Sequence, residues 1–423
     1  MRTDLREAPA SIARAAQIGA VLVLALLRAA TDVRGLMSGV PPSAIIADRL
    51  AWACERLGPA FIKIGQLLST RVDIISPAAC RALARLRDRL PPVAAPVAAR
   101  AVGAHLAGQL SGTLTPVAAG AVACVYHARL RDGREIAVKV RRPRITRLVA
   151  RDLALFRHGA RLLQRLPGLR GAPLADVAGQ LGDALLAQLD FLGEARALGR
   201  LRANLRDQVA VRVPGVLEEF CRPDVLVMEY VPGLDRSGQG PDRREAVVAA
   251  LRAVYHMLFI DGFVHCDLHP GNLHPMPDGS VVIVDAGFFR QLTDTQRRAF
   301  ATFFYRMTRG DGAGCAEIVL STVLGDAAGH DAGGFRADME DLVRAVGGSR
   351  IGEFDLLDFA VRLFAVQREH GYYADPQFVF PILSLIVMEG TLREACPEVD
   401  FQTEALPFVL RGLMRRDGPG VDS

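Results

Sequence analysis

Lysine and asparagine are almost missing from this sequence. Of the 51 Lys and Arg residues only Lys63 and Lys139 are lysines, and Asn204 and Asn272 are its only asparagines. Arginine therefore serves wherever the surface needs a generic positive charge. Because a guanidinium fork does not replace a compact ammonium group, we expect the two lysines to lie where such a group is needed.

Paired cysteines are also missing. The seven cysteines are scattered singly, without a C-x-x-C pair, and their number is odd. This spacing indicates neither a disulfide framework nor a zinc ribbon, and it favours a reducing, cytosolic setting.

Two common nucleotide-binding signatures are absent as well. A Walker-type phosphate loop needs G-K-[ST], and neither lysine follows a glycine. No convincing G-x-G-x-x-G follows a predicted strand, so a dinucleotide-binding fold has no support. A nucleotide site in this chain has to use another arrangement.

The apolar runs are short. The run from Ile18 to Leu27 is uncharged between Arg14 and Arg28. Because it falls short of the ~20 residues that span a bilayer, we expect a helix that buries one face. It lacks a convincing signal-peptide cleavage site. A net charge of +5 permits an anionic partner such as a nucleotide or a membrane surface. We expect a cytoplasmic protein, at most peripheral on the membrane, with no nucleic-acid partner.

A length of 423 residues suits two to three packed units, and the residue pattern changes twice along it. The pattern predicts a helical extension over residues 1–110. It predicts a small β-rich unit with a helix over 111–233 and a helical unit over 234–423. The order predicts an α+β, two-lobed protein with a cleft at the connector.

Local signals support this division. Leu83, Leu86 and Leu90 recur at helical spacing until Pro91 and Pro92 stop the run. The segments "VACVYHARL" and "EIAVKVRRP" read as strands joined by the turn "RDG". The segments "DVLVMEYVPG" and "GSVVIVDAG" are predicted to be buried strands. The tail after residue 415 is predicted to be frayed.

Lys139 ends the segment "IAVK", which resembles the strand lysine of protein kinases, V-A-I-K. In kinases this lysine pairs with phosphates and with a helix glutamate. Asp190 and Glu194 lie four residues apart in a predicted helix, on one face, and either could pair with Lys139. A solvated acidic face beside neighbouring arginines is the alternative.

The segment "HCDLHPGN", residues 265–272, keeps the kinase pattern H-R-D-L-x-x-x-N except for the arginine, and Asp285-Ala286-Gly287 follows where a kinase has D-F-G. Asp267 can accept a hydroxyl proton or orient a nucleophile, while Asn272 and Asp285 can supply oxygen ligands to Mg²⁺ on ATP.

A transition-metal site is the alternative for this segment. His265, Asp267 and His269 could hold such a metal, and Cys266 could add a thiolate. Successive residues of an extended loop point opposite ways, however, and no second histidine cluster supplies a further ligand. We therefore expect the histidines to support the loop rather than to bind a metal.

With these motifs in place, the chain resembles the UbiB family of atypical kinase-like proteins, also called AarF or ADCK, over residues 50–400. "FIKIGQLLSTRVDIISP" resembles the K-x-G-Q segment of that family and assigns Lys63, Gly65 and Gln66 to it. "LDFLGEA" resembles its E-x-D-F-x-x-E-A helix and makes Glu194 the expected partner of Lys139. "LARLRDRLPP" also resembles a family signature, and "PVAAGAVACVY" resembles the alanine-rich nucleotide loop.

The resemblance implies a two-lobed, kinase-like fold whose helical extension covers the cleft. It implies Asp267, Lys139, Lys63 and Gln66 as catalytic residues, with Asn272 and Asp285 as Mg²⁺ ligands. It implies a nucleotide site formed by Ala118, Ala119, Gly120, Ala121, Val122, Val125, Lys139, Glu194, Glu229 and Val231. It also implies Mg²⁺-dependent ATP binding, ATPase or small-molecule-directed phosphotransfer, and support of isoprenoid quinone biosynthesis at a membrane.

The sequence departs from the family pattern at several positions. Gly120 replaces an alanine, which would relax the backbone near the phosphates, and Ala121 replaces a serine. Gln188 replaces the glutamate expected to pair with Lys63. Cys124 replaces a frequent glutamine, and Ala286 replaces the phenylalanine of D-F-G.

Two other functions compete with the ATPase or lipid-directed kinase. A small-molecule kinase of the aminoglycoside or choline type shares the H-x-D, N and D order but leaves residues 60–92 unexplained. A nucleotide-gated lipid-binding scaffold without phosphotransfer would suit the altered loop and Gln188. A prenyl-lipid or phenolic quinone precursor is the expected partner beside ATP in the leading hypothesis.

Overall fold

The computed structural model describes residues 8–32, 37, 41–86, 91–166, 174–234, 243–268, 271–323, 331–346 and 354–415. Within these residues the protein is α+β, with many helices and three small sheets. It forms two compact units. The first comprises Met1–Leu192 and Leu217–Glu229, and the second Gly193–Val216 and Tyr230–Ser423. The three-domain division 1–110, 111–233 and 234–423 remains a proposal.

The first unit begins with the predicted helices. They are α1 Ala8–Ala30, α2 Pro42–Leu57, α3 Pro59–Ser69, α4 Pro77–Leu83 and α5 Ala95–Gln109. Proline stands in the first turn of α2 to α5, where its missing N–H has no intrahelical partner to lose. The helical character of residues 1–110 is confirmed for the part that the structure describes.

Helix α1 is longer than expected. It runs without interruption for 23 residues, and its segment Ala10–Ala30 is long and apolar enough to cross a membrane by length and composition. The expectation of too short a run was therefore wrong. The helix does bury one narrow stripe, where Arg14 and Ala25 are buried. Ile18, Val21 and Ala29 are half-buried, whereas many of its other described side chains, such as Val23 and Leu26, are exposed.

The arginines flanking the apolar run are held by the protein itself. Arg14 donates to both carboxylate oxygens of Asp152, at 2.9 and 2.6 Å, and to the main-chain oxygen of Leu57. The guanidinium of Arg28 lies 4.4 Å from the ring centroid of Trp52. Both ends of the run are thus anchored to other helices of the first unit.

The predicted helix through Leu90 is wrong in extent. Helix α4 ends at Leu83, a turn follows, and Leu90 lies outside the described residues. Leu86 is nevertheless buried, because α3 approaches it closely at Gly65. A Cβ at Gly65 would lie 2.4 Å from Cδ1 of Leu86, so a larger residue does not fit there without movement.

A four-stranded antiparallel sheet of order β1-β2-β3-β5 follows. Its strands are β1 Thr115–Ala119, β2 Ala123–Arg129, β3 Glu135–Arg141 and β5 Val225–Glu229. One face packs with α5 on a core that includes Tyr126, Val138 and Val227. Because side chains alternate along a strand, Lys139 belongs to the opposite face. The predicted hairpin and connector strand are confirmed.

Three helices complete the N-terminal half: α6 Ile145–Leu163, α7 Leu174–Ala187 and α8 Phe191–Asn204. Asp190 precedes α8, so the expectation that Asp190 and Glu194 share one helix face is wrong. Glu194 lies in the first turn of α8 and is 2% exposed, whereas Asp190 is exposed.

The second unit carries short strands followed by helices. The strands are β4 Val211–Arg212, β6 Phe263–His265, β7 Leu273–Pro275, β8 Val281–Ile283 and β9 Phe289–Gln291. They form a three-stranded sheet β4-β8-β7 and a two-stranded pair β6-β9. The helices are α9 Arg243–Tyr255, α10 Asp294–Thr308, α11 Gly312–Leu320, α12 Ala332–Val346, α13 Leu356–Glu369, α14 Pro376–Ala395 and α15 Phe401–Met414.

Candidate active site

Lys139 is held by the middle of the four-stranded sheet. It pairs with Val125 on β2 and with Leu226 on β5. Its side chain is half-buried, and Nζ lies 5.3 Å from the ring centroid of Phe191. An ammonium group over an aromatic face is stabilised by the ring quadrupole. The strand and this ring fix where the cation of Lys139 lies.

The alanine-rich loop is the turn between β1 and β2. Ala118 and Ala119 end β1, and the N–H of Gly120 donates to the oxygen of Ala123 at 2.9 Å. Ala121 and Val122 are buried, at 0% and 7% exposure. The loop is therefore a tight hairpin whose backbone is fixed by its own hydrogen bonds.

Arg142 clamps this loop, a role that sequence reasoning missed. Its Nε donates to the oxygen of Gly120 at 2.8 Å, and its N–H donates to the oxygen of Val122 at 2.8 Å. Gly120 does not adopt a positive φ. The backbone freedom expected of this glycine is therefore unused, and the loop conformation is open to alanine.

The K-x-G-Q segment lies on α3. The side-chain nitrogen of Gln66 donates to the oxygen of Leu86 at 3.1 Å, while Lys63 is half-buried. Gln66 Oε1 is buried and has no hydrogen-bond partner among the described residues. Gln66 thus ties α3 to the segment after α4.

Gln188 lies just beyond the end of α7 and is half-buried. Helix α7 packs against α3, and Arg71, which follows α3, reaches Gln180 on α7 at 3.1 Å. Arg71 also forms a bidentate ion pair with Asp73. These contacts of Arg71 hold the segment after K-x-G-Q.

The predicted connector residues lie at the end of β5. Glu229 pairs with Ile136 on β3 and is half-buried, and Val231, two residues later, is 3% exposed. Glu229 is the last residue of the first unit in this segment, and Val231 belongs to the second unit. The pairing of Lys139 with Glu194 and the nucleotide contacts of these residues remain proposals.

The candidate catalytic loop of the second unit starts from a π-helical segment, His256–Asp261. Gly262 then takes a φ of +66°, which an L side chain rarely adopts, and its oxygen accepts from Leu292 at 2.7 Å. This left-handed turn directs the chain into β6, and Asp267 follows two residues after that strand. π-Helical segments such as His256–Asp261 are frequent at functional sites.

Hydrogen bonds of His265 link Asp267 to Asp285. Its Nδ1 accepts from the N–H of Asp267 at 3.1 Å, so the proton of the neutral ring is on Nε2, which donates to the main-chain oxygen of Asp285. His265 is 1% exposed. The histidine is a buried support of the loop, as the sequence predicted.

Asn272 and Asp285, the expected magnesium ligands, are both oriented by hydrogen bonds. The side-chain nitrogen of Asn272 donates to the oxygen of Asp267 at 2.8 Å, which leaves Oδ1 as the remaining polar atom of that amide. Oδ1 of Asp285 accepts from the N–H of Gly287 at 2.8 Å and so holds the carboxylate in a turn. Carboxylate and amide oxygens are the ligands that Mg²⁺ prefers.

Helix α14 contacts and supports this loop. No sequence motif indicated this contact. The hydroxyl of Ser384 donates to the oxygen of His265 at 2.8 Å. The ring of Phe380 meets Phe288 edge-on, with centroids 4.8 Å apart, and the N–H of Cys266 donates to the oxygen of Phe288 at 2.9 Å. One helix thus fixes both segments that carry the aspartates.

Cys266 is a half-buried residue whose thiol donates to the main-chain oxygen of Val264 at 3.4 Å. Burial raises its pKa far above the usual range, since a thiolate would lose its hydration there. Among the described residues no group of three or more His, Cys, Asp and Glu side chains is arranged to hold a metal ion, and His269 lies outside them.

Comparisons with known proteins show the family and the fold of the chain. The ABC1 atypical kinase-like domain matches residues 85–319. Two proteins named probable protein kinase UbiB are similar over 88% of this chain: one from Azotobacter vinelandii, 29% identical over 72% of its own length, and one from Aeromonas hydrophila, 30% identical over 71%.

A solved structure shares the fold. The complex of Rv3197 with erythromycin from Mycobacterium tuberculosis superposes with a TM-score of 0.56 at 18% identity, over 77% of this chain and 85% of the other. The predicted two-lobed, kinase-like α+β fold is thereby confirmed. Together with a domain match over more than half of the sequence, these similarities show that the chain belongs to the UbiB family of ABC1 atypical kinase-like proteins.

Proposed function

We propose that this kinase-like protein binds ATP with Mg²⁺ and either hydrolyses ATP or transfers its terminal phosphoryl group to a small molecule or lipid. The observation that carries the proposal is the hydrogen-bonded set His265, Asp267, Asn272 and Asp285. Three chain segments converge there in the order that kinases use for the nucleophile and the metal.

In this proposal each residue has a separate task. Asn272 and Asp285 hold the magnesium ion, which neutralises charge on the phosphates when it is bound. Asp267 orients the attacking hydroxyl group or water and accepts its proton. Lys139 binds the phosphates and is kept in place by the buried carboxylate of Glu194, since a buried carboxylate needs a positive partner.

The remaining predicted residues surround the nucleotide or the acceptor. Residues 118–122 and Val125 cover the phosphates and the base from one side, with Glu229 and Val231 at the connector. Lys63 and Gln66 act on the acceptor side. By membership of the UbiB family, we propose that the activity supports isoprenoid quinone biosynthesis and that the acceptor is a prenyl-lipid or phenolic precursor.

The test is ATP turnover by the purified chain with and without Mg²⁺, liposomes and a phenolic prenyl-lipid mimic. Asp285→Asn should abolish Mg²⁺-dependent turnover, while the exposed Asp278→Asn, in the same unit, should leave it unchanged. Equal turnover by wild type and Asp285→Asn would contradict the catalytic assignment. Nucleotide binding without turnover in any condition would favour the scaffold.

The family membership does not favour a kinase of the aminoglycoside or choline type.

We further propose that α1 lies on a membrane surface rather than across it. Several of its apolar side chains are exposed, and these are Ile12, Leu22, Val23, Leu24, Leu26 and Leu27. A spanning orientation would pull Arg14 from Asp152, which is fully buried and would lose its ion pair. An interfacial helix keeps that pair and still buries its apolar side chains in lipid.

Flotation with anionic liposomes tests this proposal. The full chain should float, and Val23→Glu with Leu26→Glu should reduce flotation strongly because both carboxylates would face lipid. The same substitutions at Leu162 and Leu163, equally exposed on α6, are the matched control. No flotation of the wild type, or equal loss in the control, would contradict the assignment to α1.

A further inference from the structure

Residues 91–93, here called the linker, follow the K-x-G-Q part of the helical extension and precede α5. Side chains of the four-stranded sheet bind its backbone. The hydroxyl of Tyr126 donates to the oxygen of Val93 at 2.6 Å, and Sγ of Cys124 accepts from the N–H of Val93 at 3.4 Å. Tyr126 and Cys124 are both 0% exposed. The linker is therefore fixed on β2, the strand that begins just after the alanine-rich loop.

Arg142, which follows β3, binds the linker and the loop at the same time. Its Nη2 donates to the oxygen of Pro91 at 2.8 Å, and its Nε donates to the oxygen of Gly120 at 2.8 Å. These acceptors lie 51 and 22 residues away in the sequence, and all three residues belong to the first unit. A guanidinium presents its donors in a rigid fork, so it can bind two backbone segments at once.

The loop depends on such a restraint because it leaves an edge strand. Strand β1 pairs only with β2, and its register shifts between Pro116 and Ala118. Most of its residues are exposed. Backbone with few buried contacts opens readily. Arg142 holds this part of the chain on both sides of Ala121, since its main-chain N–H also donates to the oxygen of Val122.

We propose that Arg142 is a positioning residue of the nucleotide site, which ties the alanine-rich loop to the linker so that the two segments open and close together. The loop keeps its hairpin shape toward bound phosphates only while the linker is in place. Displacement of the linker, at the end of the helical extension, therefore weakens nucleotide binding. The effect on nucleotide rests on the proposed function, whereas the coupling of loop and linker does not.

Hydrogen exchange on the full chain, without nucleotide, tests the coupling. The N–H groups of Val93 and Gly120 are both hydrogen-bonded, so each reports the opening of its own segment. Arg142→Met keeps a long side chain without the fork and should speed exchange at both groups about tenfold. Arg131→Met, at an exposed position in the turn after β2, is the matched control and should change neither rate.

The N–H of Val138, in the middle of β3, is the internal reference and should keep its exchange rate in Arg142→Met. An equal rise at Val138 would mean that the whole sheet has loosened, and it would contradict a specific role of Arg142. Unchanged exchange at Gly120 in Arg142→Met would overturn the proposal.

Tyr126→Phe distinguishes coupling through Arg142 from local loosening of β2. The substitution removes the hydrogen bond to Val93 and leaves every contact of Arg142 in place. It should speed exchange at Gly120 about threefold when Arg142 is present. In the Arg142→Met background it should have no effect at Gly120, because the connection is already broken. An effect of the same size in both backgrounds would overturn the coupling.

The consequence for nucleotide is tested by calorimetric titration of MgATP at a temperature at which every variant is folded. Affinity should fall at least about fivefold in Arg142→Met and equally in Arg142→Lys, because one ammonium group cannot bind Pro91 and Gly120 together. An arginine that only stabilised the fold would leave the affinity of the folded variants unchanged, and that result would overturn the positioning role. Wild-type affinity in Arg142→Lys alone would overturn it in favour of charge.

A failure of the proposed function would look different. A wild type that binds no MgATP would contradict the nucleotide site, while the exchange rates at Gly120 would still decide whether Arg142 couples the loop to the linker.

Discussion

The imidazole of His265 donates a hydrogen bond to the main-chain oxygen of Asp285, twenty residues further along the chain. Its other nitrogen accepts from the N–H of Asp267. One ring thus sets the distance between the proposed nucleophile-orienting aspartate and the proposed metal ligand. The ring can do so only in one neutral tautomer, because a charged imidazole would have no acceptor for Asp267.

Replacement of His265 by Phe keeps a ring but removes both hydrogen bonds. We expect the free energy of unfolding to fall by about 2–5 kcal/mol, since two buried polar groups lose their partner. Mg²⁺-dependent ATP turnover should fall at least tenfold even under conditions in which the variant remains folded. The control is Cys266→Ala, which leaves both hydrogen bonds in place. Equal turnover in the two variants would show that the bridge does not position the aspartates.

Replacement of Gly65 by Ala tests the close approach of α3 to Leu86. The added Cβ would lie 2.4 Å from Leu86 Cδ1 and 3.3 Å from Cys54 Sγ, so the packing has to shift. We expect a loss of about 1–3 kcal/mol in urea unfolding. Gly179→Ala, in a helix of the same unit with nothing within 4 Å, should be neutral or stabilising. Equal effects of the two substitutions would contradict the packing explanation.

Titration of Glu389 should make the free energy of unfolding depend on pH. Burial raises its pKa from 4.5 to about 7, while Arg393 lowers the pKa and Asp355 raises it. Between these two pH values the folded protein holds a proton that the unfolded chain has released, so the free energy of unfolding falls as the pH rises. Tyr255 also lies within the electrostatic reach of this carboxyl group.

Glu389→Gln should remove this dependence. We expect the decline of the unfolding free energy between pH 5 and 7 to be smaller in the variant by on the order of 1 kcal/mol. Glu394→Gln, on the same helix but exposed, is the control and should behave as the wild type. Identical slopes for wild type and Glu389→Gln would show that this carboxyl group titrates at the same pH in both states.

The sequence predicted the strands, and it singled out the candidate site residues, because both leave strong local signals. The strands around Lys139 and the segment around Ile283 are runs of β-branched residues bounded by turn residues. Asp267, Asn272 and Asp285 are chemically distinctive types at fixed spacing. Hydrogen bonds orient Asn272 and Asp285, while the catalytic and metal-binding roles of the three residues remain proposals.

The supporting contacts were beyond such reasoning because they depend on distant parts of the chain. Ser384 and His265 are separated by 119 residues, and nothing local marks this serine. Arg142 holds Gly120, but it is one of many arginines and carries no compositional signal. Helix α4 ends at Leu83 although the leucine spacing continues, and Leu86, beyond the helix, packs closely on Gly65.

Replacement of Lys139 by Arg tests the inference from lysine scarcity. The ammonium is half-buried on β3 beside the ring of Phe191, and a guanidinium adds volume and a planar fork there. We expect ATP affinity, measured by calorimetry, to weaken at least tenfold, with the free energy of unfolding changed by less than about 1 kcal/mol. The reverse exchange Arg129→Lys, at an exposed site on the neighbouring strand, should change neither quantity. Wild-type affinity in Lys139→Arg would mean that a generic cation suffices at this position. The rarity of lysine would then reflect coding bias alone, and the phosphate-binding role of Lys139 would lose its compositional support.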